Sequence, residues 1–177
     1  MTDNASLSDV YLDSSLVVAA MIAGLPHSDA CTAFCSRLIA DNSHIFFSQI
    51  LRLEIAEAVR KLVTRAQLPE DIRQEYHLNS WATDPMIRQQ WMAFGMGQFA
   101  SFIGKFHQVS ELPFRIRMWR RSVQIMAQYA LGSHDAVHVA TALQNGIEVF
   151  ATADRHFNRV DTLEIRLIHD RPTDAYA

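Results

Sequence analysis

The chain has 177 residues, 49% of them hydrophobic and 20% charged, which suits one soluble domain with a proper core and leaves too little for two large ones. A formal net charge of −3 argues against a protein that coats nucleic acid non-specifically, although a local basic patch stays compatible with handling RNA. Two lysines and fourteen arginines make up the positive charge, and arginine is the side chain suited to two-pronged contacts with phosphate.

The first nine residues are polar and acidic, without the basic start and apolar run of a signal peptide. The longest apolar run, Leu16 to Ile22, is far too short to span a bilayer. A cytoplasmic protein with no membrane partner is therefore expected. Val10-Tyr11-Leu12 reads as a short buried strand running into Asp13-Ser14-Ser15, where Ser14 or Ser15 can cap a helix from Leu16 to Ala23 that ends at Gly24 and Pro26. A second helix is predicted from about Ser28 to Ala40, with Ala30, Phe34 and Leu38 facing inward. Cys31 and Cys35 lie four apart on it and read as small core side chains, since a metal site would want more Cys or His at ligand spacing and a disulfide a secreted context. Ile45-Phe46-Phe47 is a second buried strand. A third helix runs from Ile50 to Ala66, with Leu53, Ala56, Val59 and Val63 in helical register and Glu54 in its early turns.

Residues 67 to 112 are rich in Trp, Phe and Met and are punctuated by Pro69, Asp84-Pro85, Gly95, Gly97 and Gly104. Trp91, Phe94, Gln98, Phe102 and Phe106 keep helical spacing, so one or two helices broken near the glycines are expected over about 70–112. Their aromatic faces are either inner packing surfaces or a groove for a partner peptide or for bases. Pro113 then opens a helix to about Ala130 that carries Arg115, Arg117, Arg120 and Arg121, either a solvated face or a contact for an RNA backbone. Gly132-Ser133 starts the next helix, with an apolar face of Ala136, Val139, Ala140 and Leu143. Asp135 lies in its first turn, where the helix dipole favours negative charge. The strand 148–151 follows and ends in Thr152-Ala153-Asp154. A helical turn over 155–160, a last strand over 163–168 and a polar tail from 170 complete the chain, as 1–9 does at the other end. Strands alternating with helices indicate an α/β fold with a mainly parallel sheet, a single domain over 1–177.

Four acids fall at element ends on one expected edge of that sheet: Asp13, Glu54, Asp135 and Asp154. Clustered carboxylates raise each other's pKa, so something cationic must offset them. Hard oxygen donors without Cys or His pairs suit Mg²⁺ or Mn²⁺ better than Zn²⁺. Such an ion activates water and neutralises phosphorus-bound oxygens during phosphodiester hydrolysis. Thr152, two residues before Asp154, and Ser14, beside Asp13, can hold the carboxylates by hydrogen bonds. His134 and His138 flank Asp135, and each suits a ligand, a proton shuttle or a pocket wall. An aspartyl-nucleophile phosphatase would want a second Asp two residues after the first, where Ser15 stands.

Val10-Tyr11-Leu12-Asp13-Ser14-Ser15, Ser48-Gln49-Ile50 with Glu54, Ser133 to Ala142, and Thr152-Ala153-Asp154-Arg155-His156-Phe157 resemble, in order and spacing, the four signature segments of PIN-domain ribonucleases. The resemblance is greatest to the VapC-type toxins of bacterial toxin–antitoxin pairs, and it covers residues 10–66 and 115–168. It implies a three-layer α/β/α PIN-like fold and Mg²⁺- or Mn²⁺-dependent cleavage of single-stranded or looped RNA. It also implies that Asp13, Glu54 and Asp135 bind metal directly, with Asp154 on a second metal or acting through water. An RNA substrate, a cognate antitoxin and a homodimer are the partners it implies. The segment from about 70 to 112 is longer than in compact members and reads as a helical insertion. The alternative is a catalytically silent RNA- or partner-binding module on the same fold.

Overall fold

A computed structural model describes residues 8–64, 70, 74 and 85–168. Its elements in chain order are β1 (Asp9–Leu12), α1 (Ser14–Met21), α2 (Ser28–Ala40), β2 (His44–Ser48), α3 (Ile50–Thr64), α4 (Pro85–Ile103), β3 (Gln108–Leu112), α5 (Ile116–Tyr129), α6 (Ser133–Gln144), β4 (Val149–Thr152), a 3-10 turn (Arg155–Arg159) and β5 (Glu164–Leu167). The five strands form one all-parallel sheet in the order β3-β2-β1-β4-β5. The central strands β1 and β4 are buried on both faces, as parallel strands under helices must be, whereas the edge strands β3 and β5 are only partly covered.

Alternation along β1 sorts the core into two layers. Val10 and Leu12 point to one face, where they meet Leu16, Phe34, Leu38, Phe47, Ile55 and Phe99 from β2 and α1 to α4. Tyr11 points to the other, with Ile125, Ala136, Val139, Ala140, Phe150 and Phe157 from α5, α6, β4 and the 3-10 turn. Helices on both faces of a parallel sheet make the three-layer α/β/α arrangement that the strand–helix alternation predicts. From β1 the chain winds outward through β2 to β3, then crosses to β4 and β5 on β1's other side. The sheet's reversal of direction thus falls between β1 and β4, whose C-terminal ends border the crevice where such folds bind ligands.

Several local expectations are corrected. α1 starts at Ser14 with Asp13 as its N-cap, so neither serine is the cap. Leu53 is 71% exposed, whereas Leu51, Ile55 and Val59 carry the buried stripe of α3. Val63, also expected in that stripe, has a side chain outside the described residues. The break expected near Gly95 and Gly97 does not occur: α4 runs through both and ends at Ile103, before Gly104. A Cβ on Gly95 would stand 2.9 Å from Val59 Cγ2, so this glycine lets α4 lie close against α3. Trp91 and Phe94 pack there with Val59 and Ile22, and Phe99, Phe102 and Phe106 are buried too. The aromatic run from Trp91 on is thus the inner face of a helix, and the rest of the segment read as an insertion lies largely outside the described residues.

β3 replaces the end of that expected insertion. It is a half-exposed edge strand, and Arg52 donates to its Glu111 at 2.6 and 2.9 Å, a charged cover of the kind exposed edges use. α5 begins at Ile116, three residues after Pro113. Among the described residues no helix is long and apolar enough to cross a membrane.

Candidate active site at the sheet's C-terminal edge

Asp13 follows β1 directly and is fixed before anything binds. Its backbone N–H donates to Ala151 O on β4 at 3.0 Å. One carboxylate oxygen, Oδ2, accepts from Ser15 N at 3.1 Å, Ser15 Oγ at 2.5 Å and Thr152 Oγ1 at 2.9 Å. Each hydroxyl also accepts from the chain after β4: Ser15 Oγ from Ala153 N at 3.0 Å, and Thr152 Oγ1 from Asp154 N at 2.9 Å. Ser15 and Thr152 thus tie the end of β1 to the end of β4 through Asp13 Oδ2, while Oδ1 accepts from neither. Ser14, also expected to hold the carboxylates, makes neither of these bonds to Asp13; it faces Glu54 and helps to lower that acid's pKa.

Glu54 reaches the site from the second turn of α3. Its Oε2 lies 2.5 Å from His138 Nε2, and its Oε1 lies 3.4 Å from His134 Nδ1. His138 is fully buried on α6, while His134 stands exposed at that helix's start. His138 Nε2 is also 4.0 Å from Asp13 Oδ1. Burial raises the Glu54 pKa, but the bond and charge of His138, with help from Ser14 and His134, outweigh it and hold the carboxyl below its ordinary value. For His138 burial works downward, and the bond to Glu54 with the charges of Asp13, Glu54 and Asp135 lifts it above its ordinary value.

Asp135 sits in the first turn of α6, close to Gly132, where a Cβ would stand 3.3 Å from its Oδ2. Partial burial raises its pKa first, then the charges of Asp13 and Asp154; His138 opposes them and Glu54 adds to them. Asp154 caps the 3-10 turn, accepting from His156 N at 2.8 Å. The structure therefore brings all four predicted acids within electrostatic reach at one end of the sheet. Among the described residues, no three His, Cys, Asp or Glu side chains stand as a ready-made metal-ligand group. One oxygen of Glu54 faces His138, and one oxygen of Asp13 accepts from Ser15 and Thr152.

Two members of the site, Ser15 and Tyr11, carry no functional signal in the sequence, and a third, His138, carries an ambiguous one. Ser15 is one of two adjacent serines that the sequence does not tell apart. His138 was weighed as a ligand, shuttle or pocket wall; its signal is its place three residues after Asp135, the next position on the same helix face. Tyr11 reads as a core aromatic, and nothing in the sequence shows that its hydroxyl meets His138 Nδ1 at 2.8 Å.

Beside the acids runs an apolar groove of about 460 Å³ whose walls include Leu53, Phe114, Trp119, Val123, His134 and Val137. Leu53, Trp119 and Val123 expose half or more of their surface to water.

Residues 105–163 match the family model of the PIN domain. The chain is 25% identical over 160 residues to Ribonuclease VapC6 of Methanocaldococcus jannaschii, covering 90% of this chain and 97% of that protein. Its fold is also that of two solved structures at 15% identity. VapBC2 from Rickettsia felis, bound to a DNA fragment from its promoter, matches 90% of this chain and 98% of the other with a TM-score of 0.56. VapC20 of Mycobacterium tuberculosis, a sarcin–ricin loop cleaving toxin, matches 89% and 98% with a TM-score of 0.53.

Proposed function

Starting from a chain with the fold of PIN-domain proteins, we propose that it is a divalent-metal-dependent endoribonuclease, the toxin of a type II toxin–antitoxin pair. The observation that carries this reading is the convergence of Asp13, Glu54, Asp135 and Asp154 at the C-terminal ends of β1 and β4. A phosphodiester cannot approach uncompensated carboxylates, and a bound cation reverses the local sign.

The donor set suits Mg²⁺ or Mn²⁺, since all four acids offer hard oxygen. The bonds from Ser15 and Thr152 fall on Asp13 Oδ2 and that from His138 on Glu54 Oε2, so Asp13 Oδ1 and Glu54 Oε1, the latter 3.4 Å from exposed His134, keep lone pairs for an ion. Asp13, Glu54 and Asp135 are the direct ligands in this reading, and Asp154 a ligand of a second ion or of its water. When bound, the ion supplies a Lewis acid for phosphoryl oxygens and a lowered pKa for the attacking water. Ser15 and Thr152 hold Asp13 in place, Ser14 helps to keep Glu54 ionised, and α6 delivers Asp135 with its N-terminal dipole toward negative charge. Exposed His134 lies at the rim, where it can donate to an RNA phosphate or accept from a 2′-hydroxyl.

The toxin reading brings with it a cognate antitoxin and a homodimer in the cytoplasm. An exposed apolar groove bordering the site supports a protein partner, because such surfaces are rarely left to water. The relative from Methanocaldococcus jannaschii is a ribonuclease by name and the Mycobacterium tuberculosis neighbour a sarcin–ricin loop cleaving toxin, and the cleavage activity is carried to this chain by that likeness together with the acids. The test is incubation of purified protein with total RNA. Endonucleolytic cuts that appear with Mg²⁺ or Mn²⁺, vanish in chelator and vanish in Asp13→Asn support the proposal. Tight RNA binding without cleavage under either metal would replace it with the silent binding module.

A further inference from the structure

Tyr11, His138 and Glu54 form a buried chain of hydrogen bonds that begins in the core and ends at the acid cluster. Tyr11 is buried in β1, its ring stacked on Phe150 at 5.1 Å with 9° between planes. Its hydroxyl meets His138 Nδ1 at 2.8 Å, and Ser48 Oγ stands 3.4 Å from the same nitrogen. The far nitrogen, Nε2, faces Glu54 Oε2 at 2.5 Å. His138 has no exposed surface, so neither substrate nor bulk water reaches its ring.

A carboxylate oxygen can only accept, so Nε2 must carry the proton in this contact. The neutral ring achieves this when Tyr11 donates to Nδ1, which fixes the tautomer. The imidazolium achieves it with Nδ1–H donating back to Tyr11 or Ser48. Both forms present the same donor to Glu54. Rings fixed from behind in this way orient the groups that ligate metals. From this geometry we infer that His138 is a positioning residue: held by Tyr11, it pins one oxygen of Glu54 and aims the other at the ion site. The reading of Glu54 as a metal ligand underlies this inference.

The test compares wild type with Tyr11→Phe, His138→Gln and His138→Ala, and it includes a measurement without metal. In metal-free protein carrying ¹⁵N-histidine, the His138 Nε2–H is expected as a downfield, slowly exchanging proton that exchanges faster in Tyr11→Phe. In Mn²⁺ titrations His138→Ala is expected to weaken binding about 10–100-fold. His138→Gln, whose amide N–H still reaches toward Glu54, should recover much of that loss, and Tyr11→Phe should show part of it. RNA cleavage should lose kcat with KM unchanged. If His138→Ala fails to fold, the other two variants decide. Wild-type Mn²⁺ affinity and kcat in both of them, with the Nε2 proton unaltered in Tyr11→Phe, overturn the inference. A wild type that keeps the protected proton but binds no Mn²⁺ withdraws the metal site, and the role of His138 with it. Mn²⁺ binding without the protected proton overturns the hydrogen-bond chain alone.

Discussion

Neutralising two acids of the same cluster should move the stability of the metal-free protein in opposite directions. Asp135 is pushed up by burial and by the charges of Asp13, Asp154 and Glu54, with only His138 opposing, so its ionised form works against folding. Asp135→Asn removes that charge, and relieving an unfavourable charge commonly gains about 0.5–2 kcal/mol. Glu54 is held down by its bond to buried His138. Removing one partner of a buried pair costs about 3–5 kcal/mol, and the 13% exposure of the Glu54 side chain places Glu54→Gln at the lower end, about 3 kcal/mol. In a chain of 177 residues each kcal/mol shifts Tm by about 2–4 °C. Asp135→Asn should therefore melt a few degrees higher, and Glu54→Gln roughly 6–12 °C lower. The assay is calorimetry or urea unfolding in chelator at neutral pH. Equal shifts of one sign in both variants would refute the division of roles.

Further expectations follow from the same geometry. His138 is raised, so its contribution is complete below its ordinary value of 6.5 and is lost as pH climbs through its folded-state value. Glu54 is lowered, so its contribution is complete above its ordinary value of 4.5 and is lost as pH falls through its folded-state value. The metal-free protein should accordingly be most stable between those two values, and unfolding curves recorded from pH 4 to 9 check it; a maximum near pH 8 would contradict the pairing. Saturating Mg²⁺ at about 100 times its Kd should add about 2.7 kcal/mol of stability to wild type and little to Asp135→Asn, read as Tm shifts with and without chelator. Ser15→Ala removes the 2.5 Å bond to Asp13 and the acceptor of Ala153 N, and should lower unfolding free energy by about 1–2 kcal/mol and cut RNA cleavage more strongly than Ser14→Ala. Trp91→Ala, at the join of α3 and α4, should lose about 3–5 kcal/mol in urea unfolding; a loss under 1 kcal/mol would mean that α4 is not part of the cooperative core.

Which features the sequence revealed depended on how strong a physical signal each left. β1, β2 and β4 are apolar runs ended by polar turn residues, a pattern a buried parallel strand can hardly avoid. β3 escaped because an edge strand needs no such run: Gln108, Ser110 and Glu111 are polar, and only pairing with β2 shows that it is a strand. The glycines of α4 looked like breaks because local propensity counts against glycine in a helix. Close packing of Gly95 on Val59 overrides it. Leu53 was placed inside by helical register, yet it lies on the groove side of α3, where register alone cannot say which apolar residue faces a neighbour and which faces water. Within the site, Asp13, Asp135 and Asp154 stand at element ends and Glu54 in the second turn of α3, positions that strand–helix alternation alone assigns to one edge of the sheet. The groups that hold them were not legible, since Ser15 and Tyr11 act across 137 and 127 residues of chain, and pairings of that span leave no mark in either segment.

The central claim is that acids distant in sequence converge on one divalent ion. Its most direct test is a crystal structure grown with Mn²⁺, with the ion located by its anomalous scattering. The ion is expected to be bound by oxygens of Asp13, Glu54 and Asp135 at about 2.0–2.2 Å, close to the spacing such cations take from carboxylates. An ion bound elsewhere, or an empty acid cluster at saturating Mn²⁺, would contradict the claim.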